Sequence, residues 1–288
     1  MQITKRCFDC LISRIEYECR LVCDDNDQIS KIVDTCCVKL TESVSEKSPS
    51  PEISSRIHRL ACEMMGENDP YYDIKNKSNI EALSVLAGVD DMLVSFSDCC
   101  LASVIGNTLD YGSNEHKVTD NFVDFFNTEF KKGFTVDDTD KIMNLCQRVV
   151  YLCDNCGEIV FDKKLIEFLK KSGSYVSVVV KGSPIINDAT LIDSIELGMD
   201  KIADRVYEST SGISEVGINL NLISEELQKE IDNATIIISK GMANYESLSE
   251  YKKSRDLPPV AYLMMVKCEP IAEDIKIPKG SRIAYFSE

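Results

Sequence analysis

From residue 148 onward, short β-branched and aromatic runs alternate with stretches of helical period, and that alternation leaves few folds open. Strand candidates fall at residues 148–153, 175–180, 202–206, 234–239, 260–266 and 282–286, the first strand beginning with Val149. Helical stretches separate them, except that the last two read as directly linked. The pattern predicts an α/β fold: a three-layer α/β/α core with a mostly parallel sheet covered on both faces. Earlier in the chain the texture is helical. Cys7, Leu11, Ile15 and Cys19 share one helix face, and Ile29, Ile32, Val33, Cys36, Cys37 and Leu40 continue in a second. A third helix starts at Ser50-Pro51 and stops at Gly66, and others follow around 80–87, 99–109 and 122–130. The expected organisation is a helical N-terminal domain, residues 1–110, and an α/β domain, residues 111–288. The boundary falls between Leu101 and Thr139.

The chain has 288 residues, 44% hydrophobic and 28% charged, which is ordinary for a soluble globular protein. Its net charge of −16 repels polyanions, so neither nucleic acid nor an anionic membrane surface is an expected partner. No apolar run reaches the roughly 18 residues a membrane span needs, and residues 1–20 carry charge throughout with no signal-peptide core. The expected location is cytoplasmic. Thirteen cysteines, an odd number, then read mostly as free thiols in a reducing compartment. Only two histidines are present, His58 and His116, which argues against a His-rich zinc site or a Ser-His-Asp triad.

The chemistry gathers at the strand ends. Residues 148–162 read RVVYLCDNCGEIVFD: a strand, then Asp154, Asn155 and Gly157, then a helix opening at Glu158. Ligands of open α/β sheets bind at the carboxyl ends of strands, and adjacent Asp and Asn offer hard oxygen donors for Mg²⁺ or Mn²⁺. Asp and Asn are also favoured helix caps and turn formers. Two further loops of the same kind follow: Lys181-Gly182 through Asn187-Asp188-Ala189-Thr190, and Ser239-Lys240-Gly241-Met242-Ala243-Asn244-Tyr245-Glu246. Carboxylates and amides hold a metal, while Lys beside Gly neutralises phosphate and lets backbone N–H groups approach it. That division of labour suits metal-assisted phosphoryl transfer or hydrolysis. A competing reading rests on the pairs Cys7-x-x-Cys10 and Cys153-x-x-Cys156. Together they would form a zinc or iron–sulfur module, and Cys7 with Cys10 alone a second metal site or a redox couple.

Taken with Cys7-Phe8-Asp9-Cys10, Asp69-Pro70-Tyr71 and Gly106-Asn107-Thr108-Leu109-Asp110-Tyr111-Gly112, these loops run in a familiar order along nearly the whole chain. The sequence resembles the DUF89 family of metal-dependent phosphatases, in particular its short prokaryotic branch with an N-terminal CxxC. The resemblance implies a divalent ion (Mn, Co, Ni or Mg) held by Asp154, Asn155 and Asp188. It implies that Lys240, with Lys181, contacts the phosphate of a small phosphorylated metabolite, and that Gly241 and Asn244 line the same site. It also raises Asn107 and Asp110 to expected members of the active site. Glu158 is suited both to the helix dipole and to a place behind the metal. Cys156 stands where the family usually has a small residue such as Ala. A thiol there would favour softer ions if it faced the metal.

Overall fold

A computed structural model describes residues 3–44, 48–107 and 122–288. The helices are α1 (Lys5–Val22), α2 (Asn26–Ser43), α3 (Ser50–Met65), α4 (Tyr72–Val89), α5 (Phe96–Gly106), α6 (Phe122–Lys132), α7 (Thr139–Met143), α8 (Glu158–Lys171), α9 (Leu191–Glu196), α10 (Glu225–Asp232), α11 (Gly241–Tyr251) and α12 (Glu269–Ile275). The strands are β1 (Val136–Asp137), β2 (Arg148–Leu152), β3 (Tyr175–Val180), β4 (Arg205–Glu208), β5 (Ile236–Lys240), β6 (Val260–Met265) and β7 (Arg282–Ser287).

The strands form one sheet in the order β1-β7-β6-β5-β2-β3-β4, parallel throughout except for the β6–β7 pair. β2 sits inside it, with Val149 paired to Val176 on one side and to Ile236 on the other. Both faces are buried, which is why the strands read as continuous apolar runs. Val149 and Tyr151 join a core with α4, α5 and α8, whereas Val150 and Leu152 face α10, α11 and α12. The expected three-layer α/β/α architecture is present.

α1, α2 and α3 form a separate cluster around Ile15, Ile32, Leu40 and Ile57. Local chemistry sets their ends. Thr4 caps α1, Asp25 caps α2 with bonds to two backbone N–H groups, and α3 stops at Gly66 in the left-handed conformation. The expected boundary after Asp110 lies outside the described residues. α4 and α5, on its helical side, share their core with the sheet.

Three details differ from the sequence reading. β1 precedes Val149 and pairs with β7, because a two-residue strand carries no periodicity to read. β4 starts at Arg205 rather than 202; Ile202 and Ala203 instead pack from a short turn against the α5–α8 side of the sheet. The last two strands are not directly linked, since α12 stands between them, started by Pro270 in its first turn.

Candidate active site

Strand order reverses at β2. β3 lies on one side and β5 on the other, so the loops leaving these strands part and open a crevice at their carboxyl ends. Asp154 and Asn155 leave β2 into this crevice, and Gly157, at φ +82°, turns the chain into α8. The Asp188 loop is laid directly against them. Asn155 and Asp188 form an isolated antiparallel bridge. Ala189 N–H donates to the Asp154 carbonyl at 2.8 Å, and Cys156 N–H to the Asn187 carbonyl at 2.9 Å. From the other side comes Gly241, at φ +73°. A Cβ there would stand 1.9 Å from Asp154 Oδ2, so only glycine lets the β5–α11 turn close on that carboxylate.

A buried polar ladder stands behind Asp154. Asn107, at the end of α5, donates from Nδ2 to Asp154 Oδ2 at 3.2 Å and to Glu158 Oε2 at 2.7 Å. Asn155 Nδ2 also donates to Asp154 Oδ2, at 2.8 Å. Glu158 Oε1 accepts from Lys240 Nζ, which in turn donates to Asp162 Oδ1 at 2.8 Å and to the Ser103 carbonyl at 3.2 Å. Asp162 Oδ1 accepts as well from Tyr151 and Ser103 hydroxyls, at 2.7 and 2.6 Å. Burial opposes a charge on Lys240, but Asp162 and Glu158 more than offset it and hold the ammonium well above the usual lysine range.

The sequence-expected residues therefore divide. Asp154, Asn155, Asp188, Asn107, Glu158 and Gly241 come together. Lys181 joins them, with Nζ 3.3 Å from Asp188 Oδ2 and donating to the Gly217 carbonyl at 2.6 Å. Lys240 is fully buried, and its Nζ donates to Glu158, Asp162 and the Ser103 carbonyl in this arrangement. Asn244 Nδ2 donates to the carbonyls of Cys153 and Lys240, tying the end of β2 to α11. Cys156 is buried, and burial followed by the Asp193 carboxylate pushes its thiol well above the ordinary thiol range. Asp110 and His116 lie outside the described residues, and His58 is buried against Glu18 at 2.8 Å.

Two residues escaped the sequence reading. Lys267, just past β6, is buried and donates from Nζ to the Asn107 carbonyl. The signal was present, since Lys181, Lys240 and Lys267 each close an apolar strand run. Asp162 was visible only as part of a motif, although it falls one helical turn after Glu158.

Among the described residues, no group of three or more His, Cys, Asp or Glu side chains is gathered to hold a metal. A site of two carboxylates and one carboxamide, completed by water and substrate oxygens, fits the donor chemistry of a hard divalent ion. The bridge between Asn155 and Asp188 brings these donors together beside Asp154. Cys7 is half-buried, bonded to Thr4 Oγ1 at 3.1 Å, and Cys10 is exposed. Cys153 and Cys156 are buried in the core, and all thirteen cysteines are free thiols.

Comparison with known proteins finds relatives along the whole chain. The damage-control phosphatase ARMT1-like domain matches residues 3–283. A damage-control phosphatase of Archaeoglobus fulgidus is 39% identical over 297 residues, covering 100% of both chains. An uncharacterized protein of Methanocaldococcus jannaschii is 33% identical over 98% of this chain and 95% of its own. The crystal structure of a DUF89 family protein from Pyrococcus horikoshii superposes with a TM-score of 0.89 at 27% identity, covering 100% of both chains. The chain belongs to the DUF89, or damage-control phosphatase ARMT1-like, family, and it is a phosphatase.

Proposed function

We propose that this phosphatase hydrolyses phosphate monoesters of small metabolites with a divalent ion (Mn, Co, Ni or Mg) held by Asp154, Asn155 and Asp188. The observation that carries the reading is the Asp154 carboxylate at the switch point, with Asn155, the Asp188 loop and Gly241 packed against it. A bound divalent ion supplies Lewis acidity toward phosphoryl oxygens and a water of lowered pKa. The chain's own residues do the rest. Asn107 and Asn155 fix the Asp154 carboxylate by donating to Oδ2. Glu158 holds Asn107, and Lys240 opposes the rise that burial imposes on the Glu158 carboxyl. Lys181 stands beside Asp188, where its charge offsets that of a transferring phosphoryl group. Lys267 adds a second cation beside Asn107. The net charge of −16 supports a small substrate over nucleic acid. The free cysteines support a cytoplasmic, reducing location. No helix among the described residues is long and apolar enough to cross a membrane.

The test is phosphate release from an aryl phosphate and a panel of metabolite phosphates. The protein is stripped with chelator, then Mg²⁺, Mn²⁺, Co²⁺ or Ni²⁺ is restored singly. Activity returns with at least one ion and falls more than about a thousandfold in Asp154→Ala, the scale at which a whole catalytic contribution is lost. Folded wild-type protein that stays inactive with every ion removes the reading.

A further inference from the structure

α4 carries two buried polar side chains one turn apart, Lys75 and Asn79, that no step above uses. Asn79 Oδ1 accepts from Gly157 N–H at 2.6 Å, at the point where the Asp154-Asn155 loop turns into α8. Lys75 Nζ stands 2.9 Å from Asp69 Oδ2 and 3.3 Å from Asp193 Oδ2. Asp193 in turn accepts from Thr190, from N–H at 2.8 Å and from the hydroxyl at 2.6 Å, two residues beyond Asp188. Tyr71, directly before α4, packs against Ile185 and Ile186 of the same loop. Ile186 is held at φ +49°, a conformation β-branched residues rarely adopt without support. One helix outside the sheet thus grips both loops of the site, from Asn79 on one and from Lys75 and Tyr71 on the other.

We propose that α4 is the strut that sets the position of Asp154 relative to Asp188, with Asn79 and Lys75 as positioning residues for the divalent-ion site. The inference rests on the metal reading above. A buried lysine between two carboxylates gains little stability over apolar packing. It does fix where those carboxylates stand, and Asp193 fixes Thr190 and hence the exit of the Asp188 loop. Partners that orient metal ligands from behind typically change metal affinity 10–100-fold when removed.

Three variants test it. Asn79→Ala removes the acceptor for Gly157, and Asn79→Asp keeps an oxygen in its place. The double variant Lys75→Met with Asp69→Asn releases Asp193 without leaving the Lys75–Asp69 pair half broken. Mn²⁺ affinity is measured by titration of the chelator-stripped protein, together with amide hydrogen exchange and Tm. Mn²⁺ binding is expected to weaken about 10–100-fold in Asn79→Ala and in the double variant, and to stay within about threefold in Asn79→Asp. Exchange is expected to quicken in residues 153–158 for Asn79→Ala and in 185–194 for the double variant. Unchanged Mn²⁺ affinity in Asn79→Ala, whatever its Tm, overturns the strut. Wild-type protein that binds none of Mn²⁺, Co²⁺, Ni²⁺ and Mg²⁺ overturns the metal reading instead. In that case, unaltered exchange in both loops overturns the strut separately.

Discussion

At the scale of single residues, Gly241 is the sharpest constraint on the site. Its positive φ and its approach to Asp154 act together, because an added Cβ meets the carboxylate before it meets anything else. Gly241→Ala therefore displaces Asp154 rather than emptying the core. Backbone strain of this kind costs about 1–3 kcal/mol, and a catalytic group moved by about 1 Å loses roughly a hundredfold in rate. The expected result is a folded protein with kcat/KM down about a hundredfold under saturating metal. Wild-type kcat/KM in a folded Gly241→Ala would show that the carboxylate position does not matter. Asp154 and Asn155 were legible in the sequence because a strand-turn-helix run has a fixed outcome. Gly241 was legible only as a loop residue, since what it must avoid lies 87 positions earlier in the chain.

Between elements, α8 and β5 are joined through charge as well as packing. Glu158 and Asp162 lie one turn apart on the buried face of α8, and Lys240 at the end of β5 reaches both. The sequence placed Lys240 at the strand end it occupies but did not show its buried partners. A lysine closing an apolar run reads as a phosphate contact, and only the tertiary structure shows two carboxylates behind it. The same limit hid Lys75 and Asn79, whose partners sit in other elements. All six expected strands were found because buried parallel strands are near-continuous apolar runs. β1 was missed for want of length. If Lys240 holds α8 to β5 as described, Lys240→Met strands two buried carboxylates and destabilises by about 3–5 kcal/mol. Chemical denaturation measures this. Adding Glu158→Gln and Asp162→Asn to the same variant should recover a large part of the loss, because the stranded charges are gone. Additive losses across the three substitutions would show that the groups do not act as one network.

On the scale of the whole molecule, the α1–α3 cluster reaches the crevice through α3. Arg59 on α3 donates to the Ser214 carbonyl at 2.6 Å and pairs with Glu215, and Ser55 accepts from Val216 N–H at 2.8 Å. The loop fixed in this way presents the Gly217 carbonyl to Lys181. Loops after β2, β3, β4 and β5 thus meet at one edge. An ion shared between the β2 and β3 loops would add a crosslink between segments that otherwise meet through few bonds. Binding to the folded state alone then raises stability by about 2.7 kcal/mol when the free ion is at a hundred times its Kd. For a chain of this size, 1 kcal/mol moves Tm by about 2 °C. A rise of roughly 5 °C is therefore expected when chelator-stripped protein receives the ion that restores activity. Chelator should reverse it, and Asp154→Ala should lack it while keeping a cooperative transition. An equal rise in Asp154→Ala would place the ion elsewhere in the fold, and the assignment of Asp154 as a ligand would fall.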